Sequence, residues 1–189
     1  MSLTDGKESY GWLSILLHWI GAAFVIALFL LGDRFEDMPR GPEKLAAVQL
    51  HASVGVTAFL FLAARIFWRL RSGSPDLPPQ RFALNRVAKL VQWLLLASIA
   101  VLVVTGPLTI WTTGRGFEVF NLFTLPSPLP KLRDLHEILE EVHGFVAHAV
   151  LVLFLLHFFG ALKHLLVDRD GVFQRMLGRP RSSGGRSFG

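Results

Sequence analysis

HGFVAHAVLVLFLLHFFGALKH, residues 143–164, is the stretch on which the reading of this chain turns. From residue 142 to residue 162 there is no Asp, Glu, Lys or Arg, a run of 21 residues. About 20 helical residues cross a hydrocarbon core of about 30 Å, so this run is long enough to span a bilayer. His143 and His157 stand 14 residues apart within it. At 3.6 residues per turn that is nearly four turns, so both side chains point to roughly one face, about 21 Å apart along the axis. One helix therefore presents two imidazoles at two depths.

Three further blocks share this character. Residues 11–31, 45–64 and 90–114 also lack charged side chains, and the four blocks together hold 87 of the 189 residues. With 52% hydrophobic and 17% charged residues, a soluble globular domain or a disordered chain is excluded. The expected fold is all-α, an integral membrane four-helix bundle with spans at about 11–31, 45–68, 88–111 and 141–167. The first block is too long for a secretory h-region and is followed by GDRFED rather than a small-residue cleavage site, so it reads as a retained span. Gly106-Pro107 should kink or loosen the end of the third span. Gly73, Pro75, Pro78 and Pro79 should end the second, and the Gly- and Pro-rich stretch 114–130 should form a turn or short surface elements.

The charges orient the bundle. The N-terminus, the second connection and the tail lie on one side and hold 13 of the 19 Lys and Arg residues. The positive-inside rule then places both termini in the cytoplasm. This topology accounts for the net charge of +5 without a nucleic-acid partner. The two outer connections carry nine acidic against six basic residues, so only a local patch among Arg40, Lys44, Arg115, Lys131 and Arg133 could attract an anion there. Trp12, Trp68 and Trp111, with Arg65 and Arg69, suit the membrane interfaces.

Cysteine is absent. That removes disulfides, Cys-ligated iron–sulfur clusters, thiol catalysis and covalent c-type haem attachment, and leaves histidine-held groups. Imidazole in hydrocarbon needs a partner. His18 and His157 lie toward the cytoplasmic side of their spans, and His51 and His143 toward the outer side. The four sort into an inner and an outer pair, and each pair could be the trans-axial ligand set of a haem in a bundle interior. Zinc or copper would need three or more converging ligands, and no carboxylate or cysteine lies within the spans. Interhelical hydrogen bonding without metal is the other reading of any single histidine. Gly21, Ala22, Ala52 and Gly55 would leave room for a macrocycle, and Trp19 and Trp93 could pack on it or fill the bundle.

The other histidines read differently. His148 is an interhelical contact or faces lipid. His136 is the rival outer ligand, closer to water. His164, beside Lys163, is either an interface anchor or a contact for a haem propionate or quinone headgroup.

The order of motifs resembles the bacterial di-haem cytochrome b561 family. The matching pieces are YGWLSILLHW at 10–19, HASVG at 51–55 and HGFVAHAVLVLFLLHFFGALKHLLVDRDGVFQRML at 143–177, and the similarity covers about residues 9–178. The chain departs at Ala52, where the family often has lysine. The resemblance implies two non-covalent haem b groups, the inner on His18 and His157 and the outer on His51 and His143, with Lys163 and His164 as further cofactor contacts. It also implies a bacterial inner-membrane electron-transfer protein linked to ubiquinone. Some members are similar to superoxide oxidases, passing electrons from superoxide at the periplasmic face to quinone. Residues 1–178 would form the cytochrome domain and 179–189 a disordered cytoplasmic tail. Candidate headgroup or proton groups at the cytoplasmic edge are Lys89, Lys163, His164, Asp168 and Arg169. A homodimer or a redox partner protein is compatible with this reading. The alternatives are a cytochrome b anchor subunit of a larger dehydrogenase or hydrogenase, and a haem-free structural bundle.

Overall fold

The computed structural model describes residues 2–7, 9–75 and 82–178. Pro78, Pro79 and the tail 179–189 lie outside the described residues. Four long helices are α1 (Trp12–Glu36), α2 (Pro42–Ser72), α3 (Phe82–Trp111) and α4 (Arg133–Lys163). All four are long and apolar enough to cross a membrane. A two-stranded antiparallel hairpin, β1 (Phe117–Val119) and β2 (Phe123–Leu125), joins α3 to α4. A π-helical turn, His164–Asp168, and a short α5 (Val172–Arg175) follow α4.

Local chemistry sets the ends. Asp5 reaches the start of α1, where its carboxylate accepts from the Gly11 N–H at 2.7 Å and the Ser14 hydroxyl at 2.8 Å. A carboxylate there meets the orphan N–H groups and the positive end of the helix dipole. Gly11 is required, because a Cβ would lie 2.4 Å from the Leu3 carbonyl oxygen. Pro42 stands in the first turn of α2, where its missing N–H costs nothing. Lys44 Nζ folds back onto the carbonyls of Glu36 and Met38 at 3.1 and 3.2 Å, closing the end of α1. Gly73, at φ +71°, ends α2 and donates its N–H to the Arg69 carbonyl.

The spans run longer than their charge-free blocks, since polar turns extend each helix beyond the apolar core. α4 begins at Arg133 rather than near 141 and leaves α-geometry after Lys163 rather than near 167. His164 Nδ1 pairs with Asp170 at 2.8 Å and Asp168 at 3.3 Å, and the chain turns at Arg169 with φ +50°. These pairs go with the wider π turn. Pro107 sits inside α3, which continues to Trp111. The Thr105, Thr109 and Thr112 hydroxyls bond carbonyls one turn back around it.

Consecutive helices pack on one another, closely for α1 with α2 and for α3 with α4, and more loosely for α2 with α3. Trp68 Nε1 on α2 donates to the buried Ser14 hydroxyl on α1 at 2.8 Å. That links one end of the bundle, while Gly32 of α1 meets His51 of α2 at the other. Trp19 Nε1 donates to the Met176 carbonyl at 2.8 Å, so the segment after α4 returns to the end where α1 begins. α4 meets α1 and α2 through rings: His157 on His18, His148 on Phe29, and His143 on His51. Among the described residues the buried core combines aliphatic side chains such as Leu17, Leu62 and Val150 with the small polar ones of Ser14, Ser53 and Thr112.

Candidate functional site

The two expected pairs meet. His18 of α1 and His157 of α4 have ring centroids 6.2 Å apart with planes at 66°. His51 of α2 and His143 of α4 have centroids 6.3 Å apart with planes at 84°. All four rings are half-buried. Because α4 carries one member of each pair, its face holds the two sites at opposite ends of the bundle.

The neighbours of the second pair fix its chemistry. The Thr105 hydroxyl donates to the Val101 carbonyl at 2.9 Å. It has a single proton, so its 2.8 Å contact with His143 Nδ1 is one in which the imidazole N–H donates. The proton is thereby held on Nδ1 and Nε2 keeps a bare lone pair, the state of a metal-ligating histidine. Gly106, one residue on, faces the same ring, and a Cβ there would lie 3.4 Å from His143 Cε1. Gly32 does the same for His51 at 3.6 Å, and Phe35 meets that ring edge-on at 5.5 Å. His51 Nδ1 is buried, with no hydrogen-bond partner among the described residues beyond the Leu28 backbone. At the other pair, Trp19 packs edge-on against His18 at 5.3 Å, and Arg65 Nη2 lies 3.5 Å from His18 Nδ1.

The donor set selects among metals. An imidazole nitrogen sits about 2 Å from a bound transition metal and about 1 Å from its own ring centre, so trans imidazoles on one ion have centroids about 6 Å apart. Both pairs have that separation. Zinc needs three or four protein ligands. Among the described residues, no third His, Asp or Glu joins either pair. An iron already held in a macrocycle would need only two ligands from the chain, which His18 with His157, or His51 with His143, would supply.

The remaining sequence candidates are placed elsewhere. His136 Nδ1 donates to the Thr109 carbonyl at 2.9 Å and stays with α3, outside the His51–His143 pair. His148 bonds the Gly144 carbonyl at 2.9 Å, meets Phe29 edge-on and lies 3.7 Å from Glu36. Lys163 pairs with Asp168, and His164 with Asp168 and Asp170. Gly21 and Gly55 pack against Leu62 and Leu28 of each other's helix, so these small residues serve the α1–α2 contact rather than an open slot. Trp93 is 53% exposed, so it does not fill the bundle. Of the outer cations, Lys44 closes α1 and Arg133 pairs with Glu137. Thr105, Gly32 and Gly106 were not among the sequence candidates, because their roles depend on the register between helices.

The chain matches a family model described as prokaryotic cytochrome b561 over residues 9–179. The chain belongs to the prokaryotic cytochrome b561 family. Cytochrome b561 homolog 2 of Escherichia coli (strain K12) is 32% identical over 190 aligned residues, covering 98% of this chain and all of that protein. Cytochrome b561 homolog 1 of the same organism is 22% identical, over 87% of this chain and 94% of that protein. Cytochrome b561 membership makes the chain a haem b-binding protein of transmembrane electron transfer. Four membrane-length helices agree with a multi-pass protein of the bacterial inner membrane.

Proposed function

We propose that this cytochrome b561 carries two haem b groups, an inner one on His18 and His157 and an outer one on His51 and His143. The observation that carries the reading is the pair of histidine–histidine separations, 6.2 and 6.3 Å, at opposite ends of one bundle. Haem b supplies a one-electron iron couple when bound. The chain's own residues hold the rings in place and exclude water. Thr105 keeps the His143 proton on Nδ1. Gly32 and Gly106 let α1 and α3 approach the outer rings, and Trp19 covers the edge of the His18 ring.

Both termini lie in the cytoplasm in this proposal, and the His18–His157 end faces it. The reaction is oxidation of superoxide at the periplasmic end with reduction of ubiquinone. Two superoxide anions each give up one electron and leave as dioxygen, and one ubiquinone takes two electrons and two protons. Lys44 and Arg133 are engaged within the fold, so the local cationic patch for the anion narrows to Arg40, Arg115 and Lys131.

Purified protein tests the reading. About two haems per chain are expected by pyridine haemochrome assay, with a b-type α-band after dithionite. The haems should be reduced both by superoxide and by ubiquinol in stopped-flow mixing. A colourless protein would overturn the cytochrome assignment. Haem that neither donor reduces unless a dehydrogenase co-purifies would favour an anchor subunit instead.

A further inference from the structure

A cavity of 220 Å³ opens at the end of the bundle where α1 begins, between the N-terminal arm, the end of α2 and the start of α3. Its polar side chains are Tyr10, Arg69, Ser74, Lys89 and Gln92, and its apolar ones include Leu70 and Trp93. Lys89, Gln92 and Trp93 fall at i, i+3 and i+4 and so share one face of α3. Arg69 is fixed by donating to the Gly73 carbonyl. Opposite chemistries thus line one small space, with cationic, amide and phenol donors beside an indole and a leucine.

The cavity has two neighbours. Outward, Leu70, Leu90, Trp93 and Leu94 are exposed on helices long and apolar enough to span a membrane, so its mouth borders lipid. Inward, Arg65 stands one turn before Arg69 on α2, a rise of about 6 Å. Arg65 Nη2 lies 3.5 Å from His18 Nδ1, and both Arg69 and Tyr10 interact electrostatically with Arg65. Arg65 therefore links the cavity's lining residues to the His18–His157 site.

We propose that this cavity binds the headgroup of a membrane quinone. The inference rests on the quinone-linked reading given above and locates its site. A quinone ring offers two carbonyl acceptors to the donors of Tyr10, Lys89 and Gln92, and a flat face to Trp93. Sites for drug-sized ligands run to about 300–1,000 Å³, so this one takes a single ring and leaves an isoprenoid tail in the lipid along Leu90 and Leu94. A small soluble anion would use the cations but not the apolar wall. The rival cluster is closed on itself by the Lys163–Asp168 ion pair and by the contacts of His164 with Asp168 and Asp170. Reduction in the cavity adds two electrons, delivered singly from the His18–His157 side, and two protons from water at that end, giving quinol.

The test uses the purified holoprotein and a photoreactive azido-ubiquinone. Label is expected on the segments around 69–75 or 89–93, competed by ubiquinone and not by phosphatidylglycerol vesicles. Gln92→Leu and Lys89→Met should each raise the KM for short-chain ubiquinol in haem reduction by about tenfold, the size of one lost hydrogen bond. The dithionite-reduced spectrum should not change. Label on residues 163–170, competition by the anionic lipid, or variants with wild-type KM would overturn the cavity and leave the quinone reading standing. A wild-type protein that takes no label and exchanges no electrons with ubiquinol would overturn both.

Discussion

His143 Nδ1 donates to the Thr105 hydroxyl at 2.8 Å, and that hydroxyl donates onward to the Val101 carbonyl at 2.9 Å. One turn of hydrogen bonding on α3 thus decides which nitrogen of a ring on α4 is left with its lone pair. Loss of such an outer partner costs about 10- to 100-fold in metal affinity. Thr105→Val keeps the shape and removes the acceptor. The variant should lose the outer haem preferentially on dilution in detergent, and any outer haem retained should titrate at a higher potential, because its imidazole is less basic. Thr105→Ser should restore both. An unchanged redox titration for Thr105→Val would show that the hydroxyl has no hold on the site.

Removing a ligand should be all-or-none for its own site. His143→Ala should take the haem content from about two per chain to about one, and His18→Ala should remove the other haem. Difference spectra of the two variants should be complementary. If His136→Ala, rather than His143→Ala, removes the outer component, the assignment is wrong.

Space beside the outer rings is as exacting as the ligands. A Cβ at Gly106 would lie 3.4 Å from the His143 ring, so Gly106→Ala is at the edge of tolerance and Gly106→Leu is beyond it. Overpacking of this kind costs about 1–3 kcal/mol. Gly106→Leu and Gly32→Leu, on two different helices, should impair the same haem and spare the inner one. Absorbance and EPR of the purified variants would check this.

At the opposite end, Ser14 accepts from Trp68 Nε1 and donates to Asp5. Ser14→Ala leaves a half-buried indole N–H without its acceptor, a loss of about 1 kcal/mol. A lowered thermal midpoint in detergent is expected, with haem ligation intact. Arg133→Ala breaks a fully exposed pair with Glu137 and should leave the midpoint unchanged.

The spans were legible in the sequence because membrane length is written as missing charge, as in residues 142–162. The pairing of His143 and His157 with histidines of other helices was legible for a similar reason, since 14 residues return a helix to the same face. Thr105, Gly32 and Gly106 were not legible. Each acts across a helix–helix contact, and one helix's periodicity says nothing about the axial offset of its neighbour. The same ignorance assigned Gly21 and Gly55 to a slot, although they seat α1 on α2. The hairpin was foreseen only as short surface structure. Its tight turn has positive φ at Phe120 and Asn121, and phenylalanine is a poor signal for that conformation.

α4 packs closely along its length only on α3, and it reaches α1 and α2 through histidine and phenylalanine rings. For biogenesis this means that the chain can enter the bilayer as two hairpins, α1 with α2 and α3 with α4, that meet only loosely through α2 and α3. Of the four long helices, α4 is the one that carries a histidine of both facing pairs. A group held between those pairs would act as the clasp between the two hairpins, so that substituting its ligands would loosen the bundle as well as empty it.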